Sequence, residues 1–272
     1  MMAQIRAEVY KLRHTRAFAF TILAYVLLLI LFQQSGPILL MVAGNLSDPN
    51  QSIGFFKGAA PGVDGSIQLC VLRSAHSFLI FSWLIGLSLC ISFFGREIEN
   101  RTASLYVCHG GKLKRLYLCK TVVVNAAILV LQSLFTFSCL VFSAWELGYS
   151  LTIKDFCQTA VASTLNILVL LAFFSLAVLI LTILHSLFVT QFLLCFFPLA
   201  GIFMYQTNFV DFESLPTILQ FLAKLLPTYY WSNISSLRFV GNIVIEAMLY
   251  SVILFCVTLC ATIAIVNRRE MK

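Results

Sequence analysis

Residues 159–184 read TAVASTLNILVLLAFFSLAVLILTIL, without one charged side chain. A helix needs about 20 apolar residues to cross a hydrocarbon core roughly 30 Å thick, and this stretch is long enough. Stretches of similar character lie at 17–34, 78–94, 122–145, 186–205 and 247–266. Inside lipid every backbone amide must be satisfied internally, which leaves helices or closed barrels. Barrel strands show alternating segments of about ten residues, and this chain lacks them. The sequence therefore predicts an all-α integral membrane protein, with six transmembrane helices in a single transmembrane domain over 1–272. Composition agrees: 60% of residues are hydrophobic and 11% charged, against about 25% charged in a soluble domain.

The net charge of +7 is placed asymmetrically. With six spans both termini share a side. That side holds Arg6, Lys11, Arg13, Arg16, Arg96, Arg101, Lys112, Lys114, Arg115, Lys120, Arg268, Arg269 and Lys272, thirteen of the 18 basic residues. The other side keeps Lys57, Arg73, Lys154, Lys224 and Arg238. The positive-inside rule then puts both termini in the cytoplasm of a multi-pass cell-membrane protein. The basic excess reflects orientation and anionic headgroups, so the expected partner is the lipid bilayer and no nucleic acid.

Residues 2–16 fit an N-terminal interfacial helix, with Ile5, Val9 and Leu12 on its apolar face and Glu8 and Lys11 among the polar residues around it. The apolar run that follows is not a cleaved signal, because Gln33-Gln34-Ser35-Gly36 lacks a small-x-small site. Segment 35–77 is rich in turn formers and reads as a loop with one short helix. Its Asn45 and Asn50, together with Asn233, lie in Asn-x-Ser sequons that matter only where the source glycosylates. Residues 186–205 follow 159–184 through a tight connection at His185-Ser186 and form a hairpin with it. In the outer segment 206–246, the apolar run 215–226 is too short to cross and reads as a re-entrant helix before the last span. Thr228-Tyr229-Tyr230-Trp231 then reads as an aromatic belt at headgroup level. The nine cysteines include no Cys-x-x-Cys, and only Cys70 and Cys157 share the outer side, where a disulfide between them is open.

Segment 95–120 is the longest inner loop and begins GREIENRTASLYVCHGGKLKR. Glu97 and Glu99 in a first turn, Gly110-Gly111 after Leu105 and Tyr106, and basic residues beyond describe a short capped helix on the cytoplasmic side. Gly110-Gly111-Lys112 is not a phosphate loop: Tyr106 stands where the first glycine is needed, and Leu113 where Ser or Thr is needed.

Here the chain resembles the permease subunits of type-2 ABC exporters. These carry Glu-x-Glu-x-Gly-Thr after span 2, a short apolar helix, a turn, basic residues and a Lys entering span 3. Glu97, Glu99, Thr102 and Lys120 match, and Arg101 replaces the usual Gly. Glu8-Val9-Tyr10-Lys11-Leu12 is similar to the family's interfacial helix, and Leu225-Leu226-Pro227 to its outer segment before span 6. The resemblance implies that Glu97, Glu99, Arg101, Thr102, Leu105 and Tyr106 form a coupling helix that docks on a separate ABC ATPase subunit. That subunit would hold the ATP and Mg; this chain binds no cofactor. It also implies a second permease, in a homo- or heterodimer, and export of a peptide antibiotic in bacterial resistance or self-immunity. Sodium, lipid or polysaccharide export stands as an alternative.

No catalytic set is legible. His14, His76, His109 and His185 are isolated, and Cys256 and Cys260 have no metal-ligand neighbour, so the chain reads as a permease and not an enzyme. An intramembrane enzyme or a scaffold is the reading from another class. Polar groups within spans face the protein interior and are the candidates for a substrate path: Thr159, Ser163 and Asn166 at i, i+4, i+7; Gln132 with Ser133 and Thr136; and Gln191 with Thr190. Helix–helix hydrogen bonding is the plainer use of the same residues. Glu146 and Glu246 lie at the outer boundary, where a cationic substrate or plain solvation would suit them.

Overall fold

The computed structural model describes residues 2–36, 38–43, 53–57, 67–99, 113–206, 221–222, 224–237 and 242–270. They form nine helices and one two-stranded sheet: α1 (Met2–Arg13), α2 (Arg16–Gln34), β1 (Ile38–Ala43), β2 (Ile53–Lys57), α3 (Ile67–Ser74), α4 (Leu79–Glu99), α5 (Leu113–Glu146), α6 (Ile153–Leu184), α7 (Leu187–Gln206), α8 (Pro227–Ser235) and α9 (Ile243–Glu270). Five segments are long and apolar enough to cross a membrane: Arg16–Gln34, Ile67–Arg96, Leu113–Glu146, Ile153–Leu184 and Ile243–Asn267. The protein is thus a mostly helical, multi-pass membrane protein. The remaining expected span is α7, which contributes a shorter apolar helix over Leu187–Phe196.

α6 lies at the centre. It is predominantly apolar and mostly buried, though Val161, Leu168 and Ile183 are exposed, and it packs against α9 most extensively, then against α8, α4, α5 and α7. Its N-terminus is fixed by a buried carboxylate. Asp155 accepts from the Thr152 amide at 2.8 Å, from Gln68 of α3 at 2.6 Å and from the Tyr149 hydroxyl at 3.2 Å. The Tyr149 phenol is pushed up, by desolvation first and then by its bond to Asp155. His185, in the left-handed region at φ 55°, ends the helix and turns the chain directly into α7, the tight hairpin the sequence predicts.

α2 is peripheral. Phe20, Leu23, Leu27 and Leu31 are exposed along one side, while Thr21, Tyr25, Leu28 and Phe32 are buried along the other. In lipid the outward side is solvated by acyl chains, so the inward side is held by packing and hydrogen bonds and not by a hydrophobic drive.

Several expectations change. Segment 35–77 is not only loop and helix: β1 and β2 pair antiparallel, Ile38 opposite Lys57 and Leu40 opposite Phe55, with an irregularity between Met41 and Ala43. The runs ILLMVA and IGFFK are the length and type of short strands. α1 exists, but Glu8 and Leu12 are its buried residues, while Val9 is 44% exposed. The aromatic run 228–231 does not form a surface belt; Thr228, Tyr230 and Trp231 are buried in α8. Cys70 is buried and Cys157 exposed, and neither is in a disulfide. Most of the expected re-entrant run, 215–220 and 223, lies outside the described residues. So do Arg101, Thr102, Leu105 and Tyr106. Glu97 and Glu99 fall in the last turn of α4, which runs on past the expected end of its span.

Candidate functional site

Two places gather the residues singled out above. The first is a polar seam beneath α8. Thr159, Ser163 and Asn166 share the face of α6 that the 3.6-residue period predicts, and their exposures are 0%, 3% and 1%. α8 packs against α6 and meets this face at Asn166 and Phe173. Asn166 Nδ2 donates to Ser235 Oγ at the long distance of 3.5 Å. Thr159 Oγ1, Ser163 Oγ and Asn166 Oδ1 have no hydrogen-bond partner among the described residues. Phe173 continues the same face, with Trp83 of α4 and Trp231 of α8 at 5.7 and 6.2 Å between ring centroids. The two indoles are 5.9 Å apart, and neither indole nitrogen has a partner among the described residues. Leaving a buried donor or acceptor unmade costs about 1–3 kcal/mol. A row of such groups is therefore an expensive way to pack two helices, but a serviceable surface for the hydrogen-bonding groups of a neutral guest.

α8 itself is well fastened. Pro227 occupies its first turn, where the missing amide is no loss. Arg73 of α3 donates Nε to the Ser236 carbonyl at 3.0 Å, capping its far end, and stacks 5.5 Å from the Phe56 ring of β2. Tyr230 packs on Tyr250 of α9 at 4.6 Å. Its phenol is pushed up to about 12, by burial first and then by the charge of Glu246.

The other path candidates do not join this seam. Gln132 is buried between α2, α4 and α5, where its Oε1 accepts from the Tyr25 hydroxyl at 3.1 Å. Gln191 of α7 donates to Ser88 Oγ of α4 at 2.6 Å. Nor do the boundary acids stand free. Glu146 is 3.6 Å from Lys57, whose ammonium also bonds the Phe32 and Ser35 carbonyls at the end of α2. Glu246 pairs with Lys224 at 3.3 Å. Lysines of the segments between spans thus neutralise both acids considered for a cationic substrate.

The second place is the root of segment 100–112, where α4 ends and α5 begins. Lys120 of α5 is 2% exposed, donates to the Phe93 carbonyl at 3.1 Å and lies over the Phe93 and Phe94 rings at 4.3 and 5.6 Å. Glu8 of α1, 1% exposed, places Oε2 4.0 Å from the Lys120 ammonium. That is too long for a hydrogen bond and acts as a Coulombic contact at low dielectric. Glu8 Oε1 accepts from Lys11 at 2.8 Å. Gly95 adjoins the collar: a Cβ there would overlap the Leu187 side chain of α7, which would have to shift to admit it. Sequence reasoning placed Lys120 but set Glu8 on the polar side of α1. The missed signal is that Ile5, Glu8 and Leu12 also share a face, at i, i+3, i+7.

No family model matches the chain, and neither does any curated protein or solved structure.

Proposed function

We propose that this chain is the permease subunit of an ATP-driven exporter of the type-2 ABC class. It crosses the bilayer six times with both termini inside, pairs with a second permease, and carries segment 95–120 as the docking element for a separate ATPase subunit that holds ATP and Mg. The observation that supports this reading best is the collar: Glu8, Lys120 and the Phe93 carbonyl tie α1, α4 and α5 together where that segment leaves and rejoins the membrane. A segment rooted so firmly can pass a displacement to three helices at once. A loop that merely enforces topology needs no buried ion pair at its base. The motif resemblance at Glu97, Glu99, Thr102 and Lys120 supports the same assignment.

The seam on α6 bears on the cargo. It offers hydroxyls, an amide and indole N–H groups, and no charge, which suits neutral amide and hydroxyl groups better than an ion. We therefore favour an amphipathic substrate of the peptide-antibiotic type over sodium.

The test is Glu97→Ala with Glu99→Ala, in protein copurified with its ATPase. Substrate-stimulated ATP hydrolysis should fall by about tenfold or more, the size expected when charged docking contacts are lost, while membrane insertion is unchanged. Stimulation at the wild-type level would contradict the docking role.

A further inference from the structure

We propose that the groove between α2 and α4, at the end of the molecule that carries Arg16 and Arg96, binds the phosphate of an anionic phospholipid, with an acyl chain laid along its apolar wall. This rests on the geometry of the groove and holds whether or not the chain is an exporter.

The groove encloses about 540 Å³ and is lined at its mouth by Arg16, the first residue of α2, and Arg96, near the end of α4. The volume is within the roughly 300–1,000 Å³ usual for small-molecule sites. Among the described residues neither guanidinium makes an ion pair. Two forks of this kind match phosphate oxygens bidentately. Behind them Thr21, Ser88 and Ser92 give the wall a polar step. Ser88 is held in place by the Gln191 amide. Beyond that step the wall turns apolar, with Ala24, Leu84 and Ile85. Phe20, at 67% exposed, begins the outward row that Leu23 and Leu27 continue. The groove therefore opens onto the lipid-facing side of α2. Charge at the mouth with an apolar wall running into the bilayer is the shape of a lipid, not of a soluble anion. A free phosphate would use the arginines and leave the wall bare.

The test uses the full chain in detergent, with added phosphatidylglycerol or phosphatidylcholine and bound lipid read by native mass spectrometry. Two arginines near anionic headgroups should give about a tenfold or larger preference for phosphatidylglycerol, at one lipid per chain. Arg16→Gln with Arg96→Gln should abolish the preference, and Arg16→Lys with Arg96→Lys should retain part of it. Ala24→Trp, which fills the wall and leaves both charges, should lower retention of phosphatidylglycerol. If the glutamine variant does not fold, the lysine and Ala24→Trp variants carry the comparison. Equal retention of the two lipids, or insensitivity to Ala24→Trp, would overturn the proposal. Inorganic phosphate alone stabilising the chain as much as phosphatidylglycerol would reassign the groove to a free anion. A dimer in which the groove is covered and no lipid is retained would reassign it to a second copy.

Discussion

Glu8 and Lys120 are each nearly sealed from solvent, and each makes the other tolerable. Removing one charge of a buried pair leaves the other uncompensated, whereas removing both is often close to neutral. Lys120→Met should therefore cost about 3 kcal/mol in chemical unfolding in detergent, with Lys11 limiting the loss. Lys120→Met with Glu8→Gln should recover most of it. Losses that simply add would show that the pair is not coupled. Asn166 poses the opposite case. Its Oδ1 is buried without a partner among the described residues, so Asn166→Leu should leave the melting temperature unchanged or raise it, because an unmade hydrogen bond disappears. Transport selectivity should change. A large drop in stability with selectivity intact would assign Asn166 to packing. At this scale the face shared by Thr159, Ser163 and Asn166 was legible, because all three lie on one helix and the period places them. Ser235, which lies 69 positions from Asn166, was not. Nothing local to either residue announces the contact.

Among the elements, α8 and its surroundings departed furthest from the reading of the sequence. A run of Tyr and Trp outside a span ordinarily marks the headgroup region. Here Trp231 instead meets Trp83 and Phe173 over the seam, because Pro227 starts a helix and Arg73 closes it. The hairpin of β1 and β2 was hidden for a related reason: short apolar runs between turn formers do not distinguish strand from loop without their partner. If Arg73 holds the end of α8, Arg73→Leu should loosen that helix alone. Losing a charged hydrogen bond worth about 1.5–3 kcal/mol should speed amide exchange in 230–236 by roughly ten- to a hundredfold, with α6 little changed. Exchange that stays slow in α8 would mean that its aromatic packing suffices without the arginine. α1 differs in a related way: Glu8, expected among the polar residues around its apolar face, is buried 4.0 Å from the Lys120 ammonium.

For the whole molecule, hydropathy located the five helices long enough to cross a bilayer, while the sixth expected span is met, among the described residues, by the shorter apolar helix Leu187–Phe196. A bilayer imposes one length and one polarity on every crossing, so each of the five long helices contains most or all of one apolar stretch, although Ile67–Arg96 and Leu113–Glu146 begin well before theirs. Which helices touch depends on side chains far apart in sequence, and hydropathy carries no record of them; α6 at the centre and α2 at the edge could not be told apart by composition. The proposed function depends on the orientation expected from the distribution of Lys and Arg, because a soluble ATPase reaches segment 95–120 only from the cytosol. In a variant with the nine native cysteines replaced, Lys112→Cys offers one thiol in that segment. A membrane-impermeant maleimide should leave it unmodified in intact cells and label it in inverted vesicles. Labelling in intact cells with sealed membranes would place the segment outside and contradict the account.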